Sequence, residues 1–146
     1  MEQSVVWGLG ITLTIIIVAV VALFVIAEWR ILTKAGEKGW KSLIPFYNVF
    51  ISHHIVGMAH IWFILEVIVW ILELVFEVVK LPDPVVIGFG IAAGIFTLAS
   101  ELTHIIKMCN CFGKGWGFKI GMIFFPNLFF LILAFGKSEY HKPNHE

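Results

Sequence analysis

Charged residues are scarce in this sequence. Only 14% of its 146 residues are Asp, Glu, Lys or Arg, whereas 60% are hydrophobic, and the mean hydropathy is +0.95. Because soluble domains carry about a quarter charged residues, this composition excludes a typical soluble enzyme. The 10 basic and 10 acidic residues cancel to a net charge of zero, which removes the electrostatic reason to expect a nucleic-acid partner. We expect an integral membrane protein whose solvent is the lipid bilayer.

The signatures of enzymes are also missing. No serine has a convincing lysine partner for a Ser/Lys peptidase dyad; the serines are Ser4, Ser42, Ser52, Ser100 and Ser138. The Gly-Lys-Gly-Trp stretch at 113–116 is not a P-loop, and no soluble domain is present to hold a substrate. We therefore expect a protein without enzymatic activity and without a required cofactor.

Apolar residues are concentrated in four runs, at 5–27, 60–79, 85–108 and 118–135. Each run is close to the roughly 20 residues that a helix needs to cross a bilayer. We predict an all-α integral membrane protein with four transmembrane helices, in which residues 1–146 form a single domain. The more polar segment 42–57 is predicted to lie along the membrane surface or to re-enter it.

Prolines interrupt the predicted helices at two places. Pro126, followed by Asn127, interrupts the fourth run, for which the sequence favours a kinked span over a pair of re-entrant half-helices. The second and third runs are joined by a short turn at 80–84 that contains two prolines.

The lysines and arginines predict the orientation. Most of them lie in two connections, 28–41 and 107–119; they are Arg30, Lys34, Lys38, Lys41, Lys107, Lys114 and Lys119. Four spans place both connections on the same side of the membrane, and the positive-inside rule makes that side cytoplasmic. Both termini are then expected on the outer side of the cell membrane.

The two basic connections resemble each other. Residues 35–40 read Ala-Gly-Glu-Lys-Gly-Trp and lead to Ile-Pro-Phe-Tyr-Asn at 44–48, while 112–116 read Phe-Gly-Lys-Gly-Trp and lead to Ile-Phe-Phe-Pro-Asn at 123–127. A parallel repeat of a membrane helix, a turn and a broken apolar segment explains this pattern. Chance similarity between apolar segments explains it equally well.

These motifs, together with Leu-Ala-Phe-Gly-Lys-Ser-Glu-Tyr at 133–140, resemble those of a prokaryotic family of small four-span membrane proteins of unknown function. Members of that family are sometimes fused to, or described as, signal peptidase I. The resemblance covers most of residues 28–140 and implies a four-helix membrane domain with no established activity. The sequence departs from the family pattern by placing glutamates in the second span.

Those glutamates, Glu66, Glu73 and Glu77, share one helix face, with Glu73 about 20° to one side of Glu66 and Glu77 about 20° to the other. Since a charged residue at the centre of a membrane helix costs about 2.5–3.5 kcal/mol, the stripe is expected to face protein, water or ions. We predict that it lines a proton or small-cation pathway in a homo-oligomer, because one four-span chain is too thin to enclose a pore.

The alternative is a non-catalytic accessory or scaffolding subunit of a larger membrane complex. Its glutamates would then meet basic or hydroxyl groups of that complex. A purely structural role is also open, in which Glu66 and Glu73 are protonated or bond to Thr97, Ser100, His104 or another chain. Glu77 would lie at the outer interface, paired with Lys80.

Residues of metal-ligand types gather near the predicted cytoplasmic end: His53, His54, His60, Glu101, His104, Cys109 and Cys111. They make a metal or haem site a weak candidate, since their spacing matches no closed structural zinc pattern and packing explains the same residues. Gly90 and Gly94 form a GxxxG pattern in the third span, which predicts close helix approach and self-association.

Overall fold

The computed structural model describes residues 2–80 and 82–143, and these residues are helical, with no strand among them. They form six α-helices, which are α1 (Glu2–Lys34), α2 (Tyr47–Ile55), α3 (His60–Val79), α4 (Asp83–Cys111), α5 (Trp116–Phe124) and α6 (Pro126–Phe135). A 3-10 helix, Gly39–Leu43, connects α1 to α2. The predicted all-α class is confirmed for the described residues. Leu81, in the predicted turn at 80–84, lies outside them.

Two of these helices are long and apolar enough to cross a membrane. They are Val6–Lys34 within α1 and Asp83–Cys111, which is the whole of α4, and they indicate membrane association. Helices α1 and α4 contain the first and third predicted spans. Helix α3 has 20 residues, a length of about 30 Å, and is otherwise apolar, but it carries three glutamates, whereas membrane-spanning helices rarely carry charged residues. A membrane span over α3 therefore stays a prediction.

The fourth apolar run is not one continuous helix. It divides at Phe125, whose φ of −132° and ψ of 62° leave the helical region, since the following Pro126 disfavours helical geometry at the residue before it. The rings of Phe118 and Phe129 pack edge to face with centroids 4.9 Å apart, whereas 11 residues of straight helix cover about 16 Å. Helices α5 and α6 therefore fold against each other, and this hairpin replaces the kinked span that the sequence favours over 118–135.

The buried core lies at one end of the long helices. Its apolar side chains come from the last turns of α1 and α4 and from α2, α5 and α6; they include Ala27, Ile31, Ile55, Met108, Cys109, Met122, Leu133 and Ala134. By contrast, the most apolar stretch of α1 is 0% buried, and α3 contributes no buried residue. The long helices thus converge on a core of short helices, and their outer parts present apolar surface suited to lipid.

Helices α1 and α4 end in the same backbone motif. After α1, the N–H groups of Gly36 and Glu37 donate to the carbonyl oxygens three and five residues earlier, at 3.1 and 2.9 Å. After α4, the N–H groups of Gly113 and Lys114 donate in the same way, at 3.0 and 2.8 Å. This is the Schellman motif, which requires a left-handed residue, and both glycines have positive φ, 82° and 63°. A short helix near the Gly-Trp pair and a second short helix follow in each case. Because α2 also ends in this motif, at Gly57, the motif alone does not establish the repeat, which stays a prediction.

Lysines tie the two halves together. Lys34, at the end of α1, donates from Nζ to the carbonyl oxygens of Leu133 and Gly136, both at 2.7 Å. Lys107 of α4 donates to the carbonyl oxygen of Gly57, just beyond α2, at 3.0 Å. Each long helix thereby satisfies carbonyl groups at the end of the other half's second short helix, where cations are favoured.

The C-terminal segment packs on the same end of the molecule. The Tyr140 hydroxyl donates to the carbonyl oxygen of Ile55 at 2.5 Å, and the His141 N–H donates to that of Cys111 at 2.6 Å. Residues 136–143 therefore lie beside both basic connections. A four-span arrangement places them at the opposite end, and the hairpin of α5 and α6 accounts for the difference because it returns the chain to the side from which it started.

Candidate functional site

Helices α2, α3 and α4 meet around a cavity of about 250 Å³. It is lined by Val49, Ser52, His53, Glu66, Trp70, Thr97, Glu101 and His104. Aromatic packing holds α2 against the start of α3, since the Phe50 ring lies 5.2 Å from the His60 ring and 5.5 Å from the Phe63 ring. This contact brings the polar face of the 42–57 segment onto the glutamate face of α3.

Glu66 is the carboxylate at the centre of this cavity. Its Oε1 accepts a hydrogen bond from the hydroxyl of Ser100, which is 1% exposed on α4. The pairing of Glu66 with Ser100 is one of the bonds that the structural alternative names. The bond joins α3 to α4 at a depth where both helices are otherwise mostly apolar.

Glu73 and Glu77 are separated from Glu66. Both side chains are exposed, while that of Glu66 is 12% exposed. The three share one helix face, but Glu73 and Glu77 lie about 10 and 16 Å further along the axis, beyond the reach of α2. Among the described residues, Glu77 makes no ion pair with Lys80. The structure therefore divides the predicted stripe into one carboxylate in the cavity and two outside it.

His53 faces Glu66 from α2. Its Nδ1 lies 2.9 Å from the carbonyl oxygen of Val49, and because a carbonyl only accepts, Nδ1 carries the proton and donates it. Its Nε2 is buried, lies 3.4 Å from Glu66 Oε1, and has no hydrogen-bond partner in the described part of the chain. The sequence placed His53 among residues of metal-ligand type and did not pair it with Glu66, because the docking of α2 on α3 leaves no local signal.

A second imidazole completes the polar cluster. His104 Nε2 lies 2.9 Å from the hydroxyl oxygen of Ser52, and the His53 and His104 ring centroids are 5.2 Å apart. The cavity thus combines a carboxylate with two imidazoles. Carboxylates and imidazoles inside membrane helices are the side chains that typically accept protons and attract small cations. The sequence predicted no bonding role for Ser52, which contacts His104 in the structure.

The predicted metal-ligand types are dispersed. His60 stacks on His54, with ring centroids 5.8 Å apart, and the free thiols of Cys109 and Cys111 are buried against Met122 and the Ile55 backbone. Of the predicted metal-ligand residues, His53, Glu101 and His104 line the cavity. Within 2–80 and 82–143, no group of three or more His, Cys, Asp or Glu side chains has the arrangement of a metal site.

The glycines of the GxxxG pattern on α4 have free space beside them in the single chain. A Cβ atom built on Gly90 or Gly94 would meet nothing within 4 Å. These glycines therefore do not serve close helix packing within this chain, and their role in self-association stays a prediction.

The fold and this cavity define a helical protein associated with a membrane through two apolar helices. The model of DUF5684, a family of unknown function, matches residues 40–143, and the chain belongs to this family. The match includes α2 to α6 and every residue that lines the cavity, while α1 precedes it. No curated protein and no solved structure matches the chain significantly.

Proposed function

We propose that this protein is a non-enzymatic membrane protein that passes protons or small cations through the cavity around Glu66. The observation that carries the proposal is a carboxylate, Glu66, facing the imidazole of His53 between helices that are otherwise apolar. Ionisable groups inside membrane helices are costly, and they typically mark ion pathways or proton relays. No cofactor is needed for this role.

A homo-oligomer extends the pathway beyond the cavity. Glu73 and Glu77 continue the acidic face along α3 and are exposed in the single chain. Their exposure to acyl chains would be unfavourable, and a second copy packed on this face would remove that contact. The open glycines of α4, Gly90 and Gly94, provide a face for close approach of such a copy.

The proposed topology has three crossing helices, α1, α3 and α4, and a re-entrant hairpin formed by α5 and α6. The end that carries the basic connections faces the cytoplasm, following the positive-inside rule. The N-terminus is then outside, and residues 136–143 are inside because they pack on the basic end.

The test is proton flux in sealed liposomes that contain the purified protein, with a potassium gradient and valinomycin to set the voltage and a trapped pH-sensitive dye. Wild-type protein is expected to carry a voltage-driven flux, and Glu66→Gln, which keeps the side-chain size and removes the charge, is expected to abolish it. Glu139→Gln is the matched control, since Glu139 is exposed in the C-terminal segment. Absence of flux in the wild type, or equal flux in Glu66→Gln, contradicts the proposal.

A second function, an accessory subunit of a membrane complex, is favoured by α1. The most apolar stretch of α1 is 0% buried and precedes the family match. A bare membrane helix of this kind can pack against another membrane protein. Native mass spectrometry of gently extracted protein distinguishes the two functions: a homo-oligomer supports the pathway, and a stable complex with a different protein supports the accessory role.

A further inference from the structure

We propose that the cavity around Glu66 binds a compact ammonium-type cation, either an ammonium ion or a short primary amine. This names the cation class of the proposed pathway and to that extent rests on the proposed function. Equilibrium binding and flux are nevertheless separate measurements.

The first argument is the unpaired nitrogen of His53. The His53 side chain is 8% exposed, its Nδ1 proton is donated to Val49, and its Nε2 therefore presents a lone pair that no described residue satisfies. The nearest polar atom is Glu66 Oε1 at 3.4 Å. With His53 neutral and Glu66 ionised both atoms are acceptors, so a species that donates to each of them satisfies both. A cation with several N–H groups does this and also neutralises the carboxylate.

The second argument is the remaining lining. The Glu101 carboxylate and the Trp70 indole also line the cavity, and ammonium groups are attracted by carboxylates and by aromatic faces. The volume of about 250 Å³ exceeds the roughly 30 Å³ share of one water molecule several times over. The cavity therefore has room for a small alkylammonium ion as well as for ammonium itself.

The same lining is poorly suited to metal ions. Hard ions such as magnesium and calcium prefer oxygen ligands and gain little from an imidazole nitrogen. Zinc would need several ligands at about 2.0–2.2 Å from one centre, and the described residues form no group of three that could supply them. Hydrogen-bond donation distinguishes the ammonium class from these ions.

The experiment is isothermal titration of the full-length protein in detergent micelles with ammonium chloride and methylammonium chloride, at fixed pH and ionic strength. Sodium chloride is the comparison salt. Saturable binding is expected for the two N–H-bearing cations and not for sodium. Since hydrogen bonds to charged groups contribute substantially, Glu66→Gln should weaken ammonium binding by about tenfold or more. Glu139→Gln should bind like the wild type.

A second variant keeps the test decisive should Glu66→Gln fail to fold. Glu101 is exposed at the edge of the cavity, so Glu101→Gln leaves the Glu66 and Ser100 bond intact and is expected to weaken ammonium binding several-fold. Equal binding of sodium, no saturable binding in the wild type, or binding unaffected in the folded variants overturns the inference. Binding without flux overturns the proposed pathway alone, whereas proton flux without ammonium binding overturns this inference alone.

Discussion

Lys34 and Gly136 are joined by a hydrogen bond of 2.7 Å across 102 positions of sequence. The same Nζ also donates to the carbonyl oxygen of Leu133. Lys34 is the last residue of α1, and the two carbonyl groups end α6. The most apolar stretch of α1 is 0% buried, so the last turns of α1 attach the helix to the rest of the chain.

Replacing Lys34 by Met should therefore loosen α1. The substitution keeps the length of the side chain but removes both hydrogen bonds, and the expected loss is about 1–3 kcal/mol of unfolding free energy. Denaturant titration in mixed micelles, followed by circular dichroism, measures this loss. Lys38→Met is the matched control, since Lys38 is exposed in the following connection. An equal effect of the two substitutions would show that the bonds from Lys34 contribute nothing specific.

Removing the hydroxyl of Ser100 should destabilise the protein, because the Glu66 carboxylate loses its hydrogen-bond donor. Ser100→Ala is expected to lower stability by about 1–3 kcal/mol, because the buried Glu66 Oε1 loses its bond. Thr103→Ala is the control, as its hydroxyl bonds only within α4. In a double-mutant cycle, the effects of Ser100→Ala and Glu66→Gln should be non-additive. Simple addition of the two effects would contradict a direct bond.

Gly121 tests the hairpin of α5 and α6. A Cβ atom at Gly121 would lie 2.1 Å from Cζ of Phe129, whereas one at Gly117 of the same helix meets nothing within 4 Å. Gly121→Ala should destabilise the protein by about 1–3 kcal/mol through overpacking. Gly117→Ala should be neutral or slightly stabilising, because alanine favours the helix. The same denaturant titration compares the two, and equal stability would contradict the packed hairpin.

The side of the membrane on which residues 136–143 lie separates the two topologies. In a variant with Cys109 and Cys111 replaced by Ala, single cysteines are introduced by Lys38→Cys, Asp83→Cys and Glu139→Cys. We expect an impermeant maleimide added outside intact cells to label position 83 and to leave positions 38 and 139 unlabelled until the cells are opened. Labelling of position 139 together with position 83 would restore the four-span arrangement.

Ionisation of the Tyr140 hydroxyl should destabilise the folded protein at alkaline pH. Burial raises the pKa of Tyr140 above its ordinary value of 10.0, because the ionised phenolate is poorly solvated against Ile55 and Phe112. A raised folded-state pKa means that the stabilising contribution is complete below pH 10 and is lost as pH rises through the folded value. Stability measured from pH 9 to 12 should fall more steeply in the wild type than in Tyr140→Phe. Identical profiles would show that Tyr140 is not coupled to folding.

Local patterns in the sequence predicted several features of the candidate site. The period of the α-helix placed Glu66, Glu73 and Glu77 on one face, and Ser100 was named among the bonding partners of that face. His104 was named as well, but it bonds to Ser52 instead. His53, however, reaches the cavity only because Phe50 packs against the rings of α3. A contact between side chains on different helices leaves no periodic signal in either segment, so the pairing of His53 with Glu66 could not be predicted.

By itself, the sequence indicated that the environment of this protein is a lipid bilayer and that its fold class is all-α. Long apolar runs with few charges require a helical backbone that satisfies its own hydrogen bonds, and glycine after a helix ends it locally. The tertiary structure alone decided that the fourth run folds back on itself and that Lys34 holds α6. It also separated Glu66 from Glu73 and Glu77. These outcomes depend on which distant surfaces pack together, a choice that the local pattern of apolar and polar residues leaves open.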